Sequence, residues 1–228
     1  MKVQENYLKG VFTLDIPTES RIWLATINSI PGESVYNEKL YSKGGIEYRT
    51  WDAYKSKLAS CIQEGMKGIP QLDDSRILYL GASTGTTVSH VSDIVWNSSA
   101  KIIALEFSVK AARRLIQLST NRSNIIPLVA DARKPEEYAA QVGSVDFIFQ
   151  DISQVNQSQI FIDNSKAFLK KGANALFIVK CASIDSTKSA EEVTKEQVSL
   201  LEKAGFEILK ISDISKYEKE HRAILVTH

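Results

Sequence analysis

The chain has 228 residues, with 28 lysines and arginines against 27 aspartates and glutamates, for a formal charge of +1. At 43% hydrophobic and 24% charged residues it reads as an ordinary globular protein with room for one sizeable α/β domain and an appendage. So neutral a chain lacks the basic excess with which a protein grips RNA unaided, since that affinity comes largely from neutralised phosphates. It therefore binds something small or borrows its grip from partners. Lys2, Glu5, Lys9, Asp15 and Glu19 leave no space for a secretory apolar core, and no apolar run is long enough to span a bilayer. Cys61 and Cys181 both lie in apolar contexts, which points to a reducing compartment without a disulfide framework. A cytoplasmic protein with no membrane partner is expected.

Residues 1–52 form the first unit by texture. Tyr7 to Leu14, Arg21 to Ile27 and Ile46 to Trp51 are rich in β-branched and aromatic residues, separated by turn signals at Pro17, Pro31-Gly32 and Gly44-Gly45. A small antiparallel β domain is expected, its aromatics in the core. From residue 53 to 228 the pattern changes. Residues 54–66 are helical, with Tyr54, Leu58, Cys61 and Ile62 as an apolar stripe. Lys57 lies within that stripe. Either its stem runs along the apolar face or its ammonium points inward at a site.

Strands are predicted at 76–80, 101–106, 124–129, 145–150, 174–180, 206–212 and 221–227, and helices at 86–96, 108–120, 156–169 and 189–203. Ile102 to Leu105 and Ala175 to Val179 are almost wholly apolar, as in strands covered on both faces. The alternation predicts a mostly parallel, doubly wound sheet of seven strands. About eight residues join the last two strands, too few for a crossover helix, so the final strand is expected to run antiparallel.

In such sheets ligands bind at the carboxyl ends of the strands. The first strand stops at Gly81, and Gly85 precedes a helix starting at Thr86 and Thr87. This is a strand–turn–helix corner for a nucleoside cofactor, with glycine expected where a side chain would block the ligand. It carries neither the third glycine of a dinucleotide fingerprint nor a Gly-Lys-Ser/Thr ending. Glu106 and Phe107 follow the second strand, and an acid there accepts bonds from ribose hydroxyls. Asp131-Ala132 follow the third strand, Asp151 and Gln154 the fourth, and Lys180 the fifth. Each acid also has a simpler reading: Glu106 or Asp151 as a helix cap, Asp131 as a turn carboxylate. Lysine, however, is seldom buried unless paired. His221 precedes the last strand and, if that strand is antiparallel, shares the rim with Asp151 and Lys180. No histidine has metal-ligand spacing with a cysteine, and no metal is expected.

Leu78 to Asp93, with Tyr48-Arg49-Thr50-Trp51, Lys55 to Ala59, Ala104 to Ser108, Asn124 to Pro127, Asp131-Ala132-Arg133, Val145 to Asp151 and Tyr217 to His221, closely resembles fibrillarin in its archaeal form. The resemblance runs in order along nearly the whole chain. It implies a Rossmann-like, S-adenosylmethionine-dependent 2′-O-methyltransferase of box C/D guide-RNA particles acting on rRNA or tRNA. The implied partners are a Nop-domain scaffold, an L7Ae-like kink-turn-binding protein, and guide and target RNA. It further implies cofactor contacts at Gly81, Thr86, Thr87, Glu106, Phe107, Asp131, Ala132, Asp151 and Gln154, and a catalytic set of Lys57, Asp151, Lys180 and His221. Gln150, Ser153 and Cys181 depart from the family's usual residues. A nicotinamide-dependent oxidoreductase and an inactive assembly subunit are the rival readings.

Overall fold

A computed structural model describes all residues from Met1 to His228. In chain order the elements are β1 (Lys2–Glu5), β2 (Val11–Asp15), β3 (Trp23–Ile27), β4 (Leu40–Lys43), β5 (Ile46–Trp51), α1 (Lys57–Gln63), β6 (Arg76–Leu80), α2 (Thr86–Ile94), β7 (Lys101–Glu106), α3 (Val109–Thr120), β8 (Ile125–Val129), α4 (Pro135–Val142), β9 (Val145–Gln150), α5 (Gln157–Phe168), β10 (Leu169–Lys180), α6 (Cys181–Ile184), α7 (Ala190–Lys203), β11 (Glu207–Asp213) and β12 (His221–Thr227).

The last seven strands form one sheet in the order β11-β12-β10-β9-β6-β7-β8. Pairing is parallel from β10 to β8, while β12 runs antiparallel to both β10 and β11. This is the Rossmann-like, mostly parallel sheet that the alternation predicts. Successive strands build outward in opposite directions from the β6/β9 junction, so a ligand crevice opens there, at the carboxyl ends. Ile102 to Leu105 and Ala175 to Val179 are fully buried because helices cover both faces.

β1 to β5 form a separate antiparallel sheet in the order β1-β2-β3-β5-β4. Leu14, Ile16, Ala25 and Tyr48 make a small cluster of their own. Leu8, Val11, Leu24 and Trp51 belong instead to the large core with Leu58, Val88 and Phe149. Charge reinforces the join. Arg49, wholly buried in β5, donates to Glu38 at 2.6 Å, to Asp93 of α2 at 2.5 Å and to Ser89 at 2.9 Å. Arg122 donates to the other oxygen of Asp93.

Several predicted boundaries shift. The first helix begins at Lys57 rather than 54, because the Ser56 side chain accepts the Ala59 N–H and caps it there. Tyr54 thus leaves the apolar stripe and stands 53% exposed. Tyr7 lies in a turn ahead of β2, and β4 pairs with β5 in a hairpin through Gly44 and Gly45. The helix α4 was missed, although Pro135 in its first turn with Glu136 and Glu137 is a helix-start signal. β10 begins at Leu169, five residues early, with an irregular register before Asn174.

Candidate active site

At the β6/β9 junction two chain ends nearly touch. The Asp151 N–H donates to the Leu80 carbonyl at 2.9 Å. A Cβ on Gly81, whose φ is +87°, would stand 2.5 Å from the Asp151 carbonyl oxygen. Glycine is therefore required by the chain's own crossing, a cause that the sequence reading did not include. Gly85 is similar: it caps α2 at φ +93°, and a Cβ there would strike Leu118. The bend itself remains open. Gly81 and Ser83 line a cleft of about 350 Å³ together with Glu106, Phe107, Asp131, Ala132, Asp151, Gln154 and Lys180.

The acidic groups of the cleft are braced by backbone. The Glu106 carboxylate accepts from the N–H of Ser83 and of Ser108, both at 2.7 Å. It does not cap α3, since Ser108 does that. Asp131 accepts the Arg133 N–H at 3.0 Å and holds the Arg133 guanidinium in a fork at 2.6 to 3.0 Å. Those hydrogen bonds keep the Asp131 carboxyl below the usual carboxylate range. Phe107 is 66% exposed beside Glu106 and offers a free ring face. Ala132 is buried, and its carbonyl accepts the Asn164 amide at 2.8 Å. Of the predicted cofactor residues, Thr86 and Thr87 stand apart. Thr86 faces a different cavity, while the buried Thr87 hydroxyl donates to Ser56 Oγ at 2.9 Å.

At the lip, β9 and β10 bring an acid and a lysine together. Lys180 Nζ lies 2.8 Å from Asp151 Oδ1 and donates to Ser153 Oγ at 2.9 Å. Lys57 Nζ, in the first turn of α1, lies 3.6 Å from Asp151 Oδ2 and 3.5 Å from Glu218. Of the two readings of Lys57, the inward one describes its position. His221 is the cross-strand partner of Lys180, so their side chains rise from the same face at one sheet edge. His221 Nδ1 is 2.8 Å from the Lys219 carbonyl. A carbonyl only accepts, so Nδ1 carries a proton.

Residues without an assigned role in the sequence reading hold this set in place. Gln157 grips the Lys180 backbone from across the sheet, accepting its N–H at 2.9 Å and donating to its carbonyl at 3.3 Å. Nothing in the sequence marked Gln157, because the contact spans two elements. Ser153 and Glu218 lay within the stretches singled out, yet only the folded chain aims them at lysines.

The arrangement suits a nucleoside whose ribose diol meets Glu106, whose base lies against Phe107 and offers an amine to Asp131, and whose far end reaches Asp151 and the lysines. S-Adenosylmethionine fits that donor set, with carboxylates near its cation and no metal-ligand cluster in the chain.

The chain is similar to known proteins along nearly its whole length. The fibrillarin family model matches residues 2–228. The fibrillarin-like rRNA/tRNA 2′-O-methyltransferase of Methanocaldococcus jannaschii is 46% identical over 87% of this chain and 85% of its own. The Aeropyrum pernix fibrillarin solved with natively bound S-adenosyl-L-methionine superposes with a TM-score of 0.90 at 34% identity, covering 100% of this chain and 98% of that one. A fibrillarin solved in complex with Nop5p gives 0.87 at 38% identity, covering 98% and 100%. Sequence and fold alike make this chain a member of the fibrillarin family.

Proposed function

We propose that this chain methylates ribose 2′-hydroxyls of rRNA, and of tRNA, from S-adenosylmethionine, as the catalytic subunit of a box C/D ribonucleoprotein. One observation carries the reading: the Asp151 carboxylate stands between two ammonium groups, Lys180 at 2.8 Å and Lys57 at 3.6 Å, at the lip of a nucleoside-shaped cleft. When bound, S-adenosylmethionine supplies a methyl group already activated by a positively charged sulfur. Glu106, Phe107, Asp131 and Ala132 hold the nucleoside part, while Gly81, Asp151 and Gln154 border the reacting end.

The protein's task is then alignment. Fixing the hydroxyl oxygen in line with the methyl carbon supplies on the order of 7 to 11 kcal/mol of the barrier. Lys180 donates to the 2′-oxygen and stabilises negative charge there, and Asp151 orients both lysine and hydroxyl. As the O–CH₃ bond forms and the C–S bond breaks, the oxygen becomes strongly acidic. Its proton passes to the Lys180–Asp151 pair and then to water. Lys57 fixes the second Asp151 oxygen, and His221, paired with Lys180 across the strands, completes the set at the same edge.

With a net charge of +1, the chain relies on others to hold the RNA. The partners are a Nop-domain scaffold like the Nop5p of the solved relative, an L7Ae-like kink-turn protein, and a guide RNA that selects the nucleotide by pairing. The test is transfer of labelled methyl to target RNA by the reconstituted particle. Label on the ribose of the guide-specified nucleotide is expected. Label elsewhere, or none, overturns the reading.

A further inference from the structure

A second groove opens beside the catalytic lip, about 180 Å³ in volume and walled by Arg21, Trp23, Trp51, Tyr54, Lys216 and Tyr217. We infer that it is a stacking subsite for an unpaired base of the RNA strand that enters the active site; this rests on the methyltransferase reading above.

Three observations support it. The groove neighbours the lip along the chain: Tyr54 lies three residues before Lys57, and Tyr217 adjoins Glu218, whose carboxylate is 3.5 Å from Lys57 Nζ. It presents an accessible ring: Tyr54 is 53% exposed and meets Tyr217 in a T-shaped contact with centroids 5.2 Å apart. Cations sit on the rings, with the Arg21 guanidinium 3.5 Å over Trp23 and Lys216 Nζ 5.1 Å over Tyr217. Asp52, 3.6 Å from Arg21, is the only carboxylate in the wall, so the groove is net basic on a nearly neutral chain.

Aromatic faces interleaved with arginine and lysine are the composition that holds single-stranded nucleic acid. Each base stacks whatever its identity, and the cations meet the phosphates. Ile22, Leu24 and Ala53 also line the groove, so a protein occupant is one outcome of the test. The subsite suits a chain that must position a strand it does not select.

The test uses the full chain in the reconstituted particle. Tyr54→Ala is expected to raise the KM for target RNA at least fivefold, with kcat at saturating RNA within twofold and S-adenosylmethionine affinity unchanged. Tyr54→Phe, which keeps the ring, restores the wild-type KM. Target RNA carrying 4-thiouridine at successive unpaired positions is expected to crosslink to the peptide containing Trp23 or Tyr54. An unchanged KM in Tyr54→Ala, or crosslinks confined to other peptides, overturns the subsite while leaving the methyltransferase reading intact. Loss of scaffold binding by Tyr54→Ala, with unchanged RNA affinity in the particles that form, assigns the groove to protein and likewise overturns it. Wild-type particles that transfer no methyl to RNA overturn both.

Discussion

Gly81 and Asp151 lie so close that the backbone of one occupies the space a side chain on the other would need, with 2.5 Å from an added Cβ to the Asp151 carbonyl oxygen. The cofactor turn and the acid at the lip are thus a single packed unit. Gly81→Ala combines a φ of +87° with a backbone clash, and is expected to cost more than about 2 kcal/mol of stability. It should also weaken S-adenosylmethionine binding at least tenfold. Urea unfolding and calorimetric titration check the two effects, and wild-type values in both would refute the packing argument.

Lys180→Ala is expected to lower methyl transfer at least 100-fold with cofactor affinity within about threefold, since the lysine meets the lip end of the cleft only. Single-turnover transfer alongside calorimetric titration separates the two. Ser153→Ala removes one bond to the same ammonium, at 2.9 Å, while leaving Asp151 in place. Its effect should be smaller, about 3- to 10-fold on kcat. Equal losses in both variants would mean that Ser153 has a role of its own.

The buried charges at the junction of the two sheets predict a large stability effect far from the lip. Asp93 is fully enclosed and serves both Arg49 and Arg122. Asp93→Ala leaves Arg122 without a carboxylate and Arg49 with Glu38 alone, and should cost about 3 to 5 kcal/mol. Arg49→Met, which withdraws one cation and keeps its bulk, should cost less. Denaturant midpoints for the two variants decide the order.

His90 gives a pH-dependent counterpart. It is completely buried, 2.8 Å from Thr26 Oγ1, 2.7 Å from the Tyr36 hydroxyl and stacked on Trp51. Burial first, then Arg49 and Arg122, hold its pKa well below the ordinary 6.5. The unfolded chain therefore binds a proton that the folded chain refuses. Stability contributed here is complete above pH 6.5 and is lost as pH falls below it, by about 1.4 kcal/mol per unit until the folded histidine titrates. This window lies above the ordinary carboxylate values of 3.8 to 4.5. Between pH 7 and pH 5 the melting temperature should fall less in His90→Gln than in the wild type. An equal fall would place the acid lability elsewhere.

The doubly wound sheet was legible because its strands are short apolar runs at regular spacing, and two-sided burial leaves that trace directly in composition. The acids at the strand ends were legible for a related reason: a charged residue that closes an apolar run must meet something. Lys57 was legible only through the family resemblance, because snorkelling and inward aim leave the same pattern within a stripe and only its folded position, 3.6 Å from Asp151 Oδ2, separates them. Gly81 was found without the backbone crossing that also requires it, since sequence cannot tell a glycine that admits a ligand from one that admits a neighbouring strand. Gln157 and the Arg49–Asp93–Arg122 cluster were invisible because their partners lie between 23 and 44 positions away and belong to different elements.

β12 is inserted between β10 and β11, and it brings His221 into register with Lys180. A nascent chain released as far as β11 therefore holds the cofactor turn and Asp151, yet β10 still has an unpaired edge. The ribosome must deliver β12 before the catalytic rim can close. Premature termination anywhere before residue 221 should yield an inert, aggregation-prone product rather than a partly active one.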